Sequence, residues 1–308
     1  MDLFDSKSAS PMLIAEETEP FDSPDYIYEL KLDGERGLSY LSSETVLRNK
    51  RQLNMLAKFP ELDGIHKQVK QRCILDGEYI VIIDGKPDFS EVRRRSLMSS
   101  PFKIKLAADK YPVSFAAYDI LYLKDKPLLD LPLMERKEIL AKIVTESPKL
   151  SISRYIETEG VKLFNLTRQQ GLEGVVAKRA QSKYFCGKRT KDWIKFKNLQ
   201  DDDYVICGYI IKSDAVTSLV LAQYRNARLV YKGHVTLGVS RNDFTVISDT
   251  EHTSNPFPGT KSENTIWIKP VNVCKVEFME RYESGSLRQP VYKGLRLDKK
   301  PEECVEKP

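Results

Sequence analysis

The chain has 308 residues, 41% apolar and 30% charged, with a net charge of +5 and a sequence pI near 8.7. That balance excludes a disordered or fibrous chain and provides apolar material for about two domain cores. No apolar run approaches the roughly 18 residues of a membrane span, and Met1-Asp2-Leu3-Phe4-Asp5 lacks the basic and apolar regions of a leader, so a cytoplasmic protein is expected.

In chain order, residues 1 to about 24 are rich in Pro and acids and look irregular. Tyr26 to Lys31 has strand character and delivers Lys31 to its end. Gly37 to Leu41 and Thr45 to Arg48 flank a Ser-Ser turn as two more strands. A short helix is expected over Phe59 to Val69, then an apolar strand over Cys73 to Ile83 closed by the Asp84-Gly85 turn. The basic run Arg93-Arg94-Arg95 is either a solvated turn or a contact for DNA phosphates. Val113 to Tyr122 is another buried strand. Leu133 to Val144 and Gly160 to Gln170 have helical periodicity, and Gly174 to Lys178 and Asp192 to Phe196 are short strands. The acidic triplet Asp201-Asp202-Asp203 marks a composition shift and is expected to be a linker. Beyond it come strands over Tyr204 to Ile211, Leu219 to Tyr224, Arg228 to Val235, Thr265 to Ile268 and Val271 to Phe278, which suit a small β-barrel. Tyr224, Arg225, Arg228 and Tyr231 on those strands either pack or track a duplex.

The chemistry is restricted by what is missing. No GxxxxGK[ST] or GxGxxG phosphate loop is present. Three histidines leave little material for a His-based triad or metal site, and five scattered cysteines without a CxxC pair argue against zinc or a disulfide framework. A nucleotide would therefore be handled by Lys, Glu and Arg. Lys31, at a strand end inside Lys31-Leu32-Asp33-Gly34-Glu35-Arg36, can be desolvated beside other cations, the setting that makes an amine a nucleophile. Gly34 would let the backbone turn tightly and approach a ligand. Alone, this hexapeptide also fits a solvated Asp-Gly turn, the lesser alternative. The buried strands carry further single charges: Asp76 and Glu78, Tyr118-Asp119, Glu173 before Gly174 to Lys178, and Lys195 and Lys197, which strand alternation points to one face. Buried charge is costly unless used or paired, so the set points to a site.

Taken in order, Lys31 to Arg36, Arg48, Asp76 to Glu78, Tyr118-Asp119, Glu173 to Lys178, Trp193 to Lys197 and Arg296-Leu297-Asp298-Lys299 resemble the covalent nucleotidyltransferase superfamily of DNA ligases, RNA ligases and capping enzymes. The chain is most similar to the ligase domain of bacterial end-joining ATP-dependent DNA ligases. The resemblance covers essentially the whole chain. It implies an α+β fold: an adenylyltransferase (nucleotidyltransferase) domain of ATP-grasp-like antiparallel sheets with helices over 1–199, then a small OB-fold barrel over 200–308.

By this resemblance Lys31 carries AMP from ATP to the 5′-phosphate of a nick, and the 3′-hydroxyl then seals the strand. Glu29 would recognise adenine, Tyr118 would stack on it, and Arg36 and Glu78 would hold the ribose. Lys195 and Lys197 would neutralise the α-phosphate, Glu173 would hold Mg²⁺ or Mn²⁺, and Arg48 would bind the 5′-phosphate. Arg296 and Lys299 would orient the pyrophosphate in the first step only, which implies a swinging barrel domain with a hinge near Asp201 to Asp203. The implied partners are nicked duplex DNA and, from the end-joining likeness, a Ku-like end-binding protein or repair polymerase, for a monomer associated with the nucleoid. A capping-type guanylyltransferase using GTP, an RNA ligase and an inactive nucleic-acid-binding module are the alternatives.

Overall fold

The computed structural model describes residues 2–211, 217–258, 264–282 and 284–306. The chain divides into two compact units, Met1–Asn198 and Leu199–Pro308.

Among its described residues the first unit has the strands β1 (Leu13–Glu17), β2 (Ser23–Leu30), β3 (Glu35–Leu41), β4 (Thr45–Asn49), β5 (Cys73–Ile83), β6 (Lys86–Pro87), β7 (Val113–Leu123), β8 (Lys126–Pro127), β9 (Leu150–Ile152), β10 (Tyr155–Thr158), β11 (Gly174–Arg179) and β12 (Arg189–Lys197). Its helices are α1 (Phe89–Leu97), α2 (Pro101–Lys110), α3 (Leu133–Ile143) and α4 (Gly160–Gln169). One sheet runs β1-β12-β11-β2-β10 and the other β4-β3-β5-β7-β8, with β6 on β5 and β9 on β7.

Alternation along each strand makes three apolar layers. Tyr28, Val175, Ala177, Ile194 and Phe196 on the first sheet's outer face pack with Phe164 of α4. Leu75, Tyr79, Val81, Phe115 and Ile120 on the second sheet's outer face pack with Leu140 and Ile143 of α3. Between the sheets, Leu38, Tyr40, Ile74 and Tyr122 meet Trp193 and Val176. The residues of opposite parity on β2, β11 and β12 therefore share this inner layer, and they include the charged ones.

The N-terminal segment is irregular over residues 2–12 and 18–22, as expected, but it is packed and carries one strand. It buries Phe4, Ala9 and Met12 in the inner layer and adds β1 parallel to β12. The expected Phe59–Val69 helix is two short 3-10 turns, Pro60–Leu62 and Ile65–Gln68. Arg93-Arg94-Arg95 is helix, not turn: Asp88 caps α1, Arg94 pairs with Glu91, and the buried Arg95 pairs with Glu61. Arg95 is thus taken up inside the unit, whereas Arg93 and Arg94 are exposed.

The second unit is the antiparallel sheet β15-β14-β13-β16-β17, from β13 (Gln200–Ile211), β14 (Thr217–Arg225), β15 (Arg228–Val235), β16 (Thr265–Phe278) and β17 (Val291–Leu295), with helix α5 (Arg241–Ser248). A bridge between Leu237, just after β15, and Val291 of β17 joins the two ends into a barrel. Tyr204, Ile206, Leu219, Leu221, Val276 and Phe278 fill it. Asp201 to Asp203 is not a linker but the start of β13, paired with β16. Each carboxylate has a cation: Lys275 on Asp201, Arg281 on Asp202, and Arg296 with Lys299 on Asp203. The two strands expected over 265–268 and 271–278 form one strand, whose register against β13 shifts between Trp267 and Asn272. Arg225 pairs with Glu306, and Tyr231 packs on Phe257. Among the described residues, no helix is long and apolar enough to cross a membrane.

Candidate active site

Lys31 follows directly on β2, and its backbone N–H donates to the Gly174 carbonyl at 2.9 Å. That bond sets it beside the residue preceding β11, and the Lys31 ammonium lies 2.6 Å from Glu173 Oε1. Gly174 has φ +142°, and a Cβ there would meet the Phe196 carbonyl oxygen at 2.0 Å, so a side chain at this position would push β12 away. Gly34 is also closely packed. Its Cβ would stand 2.3 Å from the Tyr79 carbonyl oxygen, so the loop after Lys31 lies directly against β5.

The second sheet supplies Glu78 and Arg36. Burial pushes the Glu78 carboxyl up to about 8, against the opposing pull of Lys31 and Arg36, with Glu173 and Asp76 raising it further. A carboxyl that keeps its proton at neutral pH both donates and accepts, which matches a ribose hydroxyl. Arg36 is fixed by a fork onto Asp76, Nε to Oδ1 at 3.1 Å and Nη2 to Oδ2 at 2.6 Å, while its Nη1 donates to the Met12 carbonyl at 2.6 Å. The Tyr184 hydroxyl donates to Asp76 Oδ2 at 2.7 Å and accepts from the Met12 N–H at 2.9 Å. Two distant segments thus lock the guanidinium through one buried carboxylate.

Lys195 and Lys197 of β12 share a face, as alternation requires. Their ammonium groups lie 3.1 and 3.5 Å from Glu17 Oε2, so both converge on one anion. Desolvation holds Lys197 below the ordinary lysine range, with Glu17 opposing and Lys195 and Lys31 reinforcing. Glu29 of β2 is buried against Lys137 and Lys178. Tyr118 of β7 carries the Lys178 ammonium 4.3 Å from its ring centroid and the Arg36 guanidinium at 5.4 Å. Arg48 pairs opposite Leu38 on the next strand and donates from Nη1 to the Gln52 carbonyl at 2.8 Å.

The first unit therefore brings together Lys31, Glu173, Glu78 and Arg36, with Lys195 and Lys197 converging through Glu17. Arg296 and Lys299 lie in the second unit, 3.1 and 2.7 Å from Asp203. Residues that sequence reasoning missed are Asp76 as the seat of Arg36, Tyr184, Met12, Glu17, Lys137 and Lys178. Asp76 and Lys178 sit inside the runs Asp76 to Glu78 and Glu173 to Lys178. The other four carry no local signal.

Among the described residues no three His, Cys, Asp or Glu side chains cluster as a ready metal cage. A single carboxylate such as Glu173 nonetheless fits a cation that takes most of its shell from phosphate oxygens and water, as Mg²⁺ does.

An ATP dependent DNA ligase domain model matches residues 8–197, and an ATP dependent DNA ligase C terminal region model matches residues 212–299. The multifunctional non-homologous end joining DNA repair protein LigD of Mycobacterium tuberculosis is 28% identical over 98% of this chain, and the match spans 40% of that protein. The SPbeta prophage-derived DNA ligase-like protein LigB of Bacillus subtilis is 29% identical, over 94% of this chain and 99% of its own length. Among solved structures, mycobacterial DNA ligase D complexed with ATP and MES superposes with a TM-score of 0.58 at 27% identity, covering 100% of both chains. A Lig E DNA ligase shares the fold at a TM-score of 0.64 and 16% identity, over 93% of this chain and 99% of its own. The architecture is thus a nucleotidyltransferase domain followed by an OB-fold. With both ligase regions matched in order along it, the chain belongs to the ATP-dependent DNA ligase family.

Proposed function

We propose that this chain seals 5′-phosphate/3′-hydroxyl nicks in duplex DNA through a lysyl–AMP intermediate on Lys31. The observation that carries this reading is the Lys31–Glu173 pair at 2.6 Å, set beside Glu78 and the converging lysines Lys195 and Lys197. In the first step the Lys31 amine attacks the α-phosphorus of ATP. The Lys31 ammonium first gives one proton to solvent; a P–N bond forms as the bond to pyrophosphate breaks, and the nitrogen gives up a second proton, leaving the phosphoramide N–H. The nick 5′-phosphate then displaces Lys31 from AMP, and the 3′-hydroxyl displaces AMP. All three are in-line displacements, so positioning and charge neutralisation supply most of the acceleration.

Glu29 and Tyr118 take the base, Arg36 and Glu78 the ribose, Lys195 and Lys197 the α-phosphate, and Arg48 the 5′-phosphate. Glu173 would hold a divalent cation, which when bound neutralises phosphate charge. The domain division, 1–199 and 200–308, separates this machinery from the barrel pair Arg296 and Lys299, which acts on the pyrophosphate leaving group. Incubation with labelled ATP or GTP and a denaturing gel, followed by a nick-sealing assay, tests the function. No Lys31-dependent AMP adduct and no sealing would refute it.

Two narrower outcomes follow. Arg296→Ala is expected to slow self-adenylylation by about tenfold or more, the worth of a charge-assisted contact, and to leave sealing of pre-adenylylated nicks much less affected. Equal losses in both assays would remove the leaving-group role. The end-joining relatives point to double-strand breaks presented by a Ku-like end-binding protein, with a repair polymerase as a further partner. Joining of broken duplex with and without such an end binder tests that partnership.

A further inference from the structure

Glu29 is held more heavily than one carboxylate requires. Lys137 of α3 lies 2.6 Å from its Oε1, Lys178 of β11 lies 3.0 Å from the same oxygen, and the Ser153 hydroxyl donates to Oε2 at 2.8 Å. Tyr155 of β10 pairs beside it across the sheet. Glu29 and both lysines are buried. Asp119, the other acid whose charge acts on Lys178, is taken up by a fork from Arg136 at 2.8 Å. The cluster thus keeps one surplus positive charge, which Lys178 places over the faces of Tyr118 and Trp193, 4.3 Å from each centroid. A second buried lysine is expensive where one neutralises the charge, so its retention calls for a use.

We propose that Lys137 and Lys178 are positioning residues for purine selectivity, holding Glu29 as an obligate hydrogen-bond acceptor for the 6-amino group of the base. The inference rests on the reading that Glu29 meets the base. An ionised carboxylate only accepts, so it pairs with a 6-amino purine and repels the carbonyl of a 6-oxo purine. Once protonated it donates and tolerates the carbonyl. Burial would push Glu29 toward the protonated form, but Lys137 and Lys178 outweigh it and hold the carboxyl below its ordinary range.

The test compares initial rates of covalent adduct formation with ATP and with ITP, whose base carries a 6-oxo group, in Lys137→Met, Lys178→Met and the double variant. The ATP-to-ITP ratio is expected to fall by about tenfold in each single variant, the effect of one pK unit on Glu29, and further in the double. Lys137→Arg and Lys178→Arg should restore it. Both rates scale with the amount of folded enzyme, so misfolding cancels from the ratio. An unchanged ratio, or parallel loss with both nucleotides, overturns the proposal. A wild-type ratio near one instead overturns base recognition by Glu29, and absence of any wild-type adduct overturns the ligase reading.

Discussion

Lys31→Ala and Lys31→Arg should both abolish the covalent AMP adduct, lowering self-adenylylation by more than about a thousandfold, as removal of a nucleophile does. The arginine variant is the more informative. Its guanidinium keeps the charge and can still pair with Glu173, which Lys31 meets at 2.6 Å, so the ion pair survives. A guanidinium does not shed its proton, however, and offers no lone pair to phosphorus. Loss in both variants therefore assigns the chemistry to the amine and not to the charge. Nicks already carrying AMP bypass the lysyl intermediate, and their sealing should fall far less. An adduct that persists in Lys31→Ala would shift the nucleophile to a neighbouring lysine, with Lys197, already held below the ordinary lysine range, the first to examine.

The sheet alternation of the site was legible in sequence because it is local. Period two along Tyr28-Glu29-Leu30-Lys31 and Trp193-Ile194-Lys195-Phe196-Lys197 puts Glu29, Lys195 and Lys197 on one face together with Trp193, and Tyr28, Ile194 and Phe196 on the other, and the structure has that arrangement. What stayed hidden depends on partners far along the chain. The N-terminal segment looked irregular because its strand exists only against Arg189 to Lys195. Asp201 to Asp203 looked like a linker because three consecutive acids disfavour a strand in isolation. Lys275, Arg281, Arg296 and Lys299 reverse that preference, a tertiary override of local propensity. The helix α1 is hard to read from its arginine run, because the burial of Arg95 depends on Glu61, far back in the chain.

The same long-range logic makes Asp76 the second residue whose loss should be severe. It is fully buried, it forks onto Arg36, and it accepts the Tyr184 hydroxyl. Asp76→Ala would leave a largely buried guanidinium without its counter-ion, which costs roughly 3–5 kcal/mol of folding stability. Urea denaturation monitored by tryptophan fluorescence measures it, since Trp193 lies beside Arg36. On the proposed ribose role, Arg36 freed from its seat should also bind the nucleotide less well. ATP affinity should weaken by about 10- to 100-fold, the worth of one hydrogen bond to a charged group. Asp76→Asn keeps the shape and one acceptor oxygen, so it should fall between the wild type and the alanine variant in both measurements. If Asp76→Ala matched the wild type in urea, the fork would contribute nothing to the fold. If stability fell while ATP affinity held, Arg36 would reach the nucleotide without Asp76, and the buried pair would be a structural brace and not part of the ribose site.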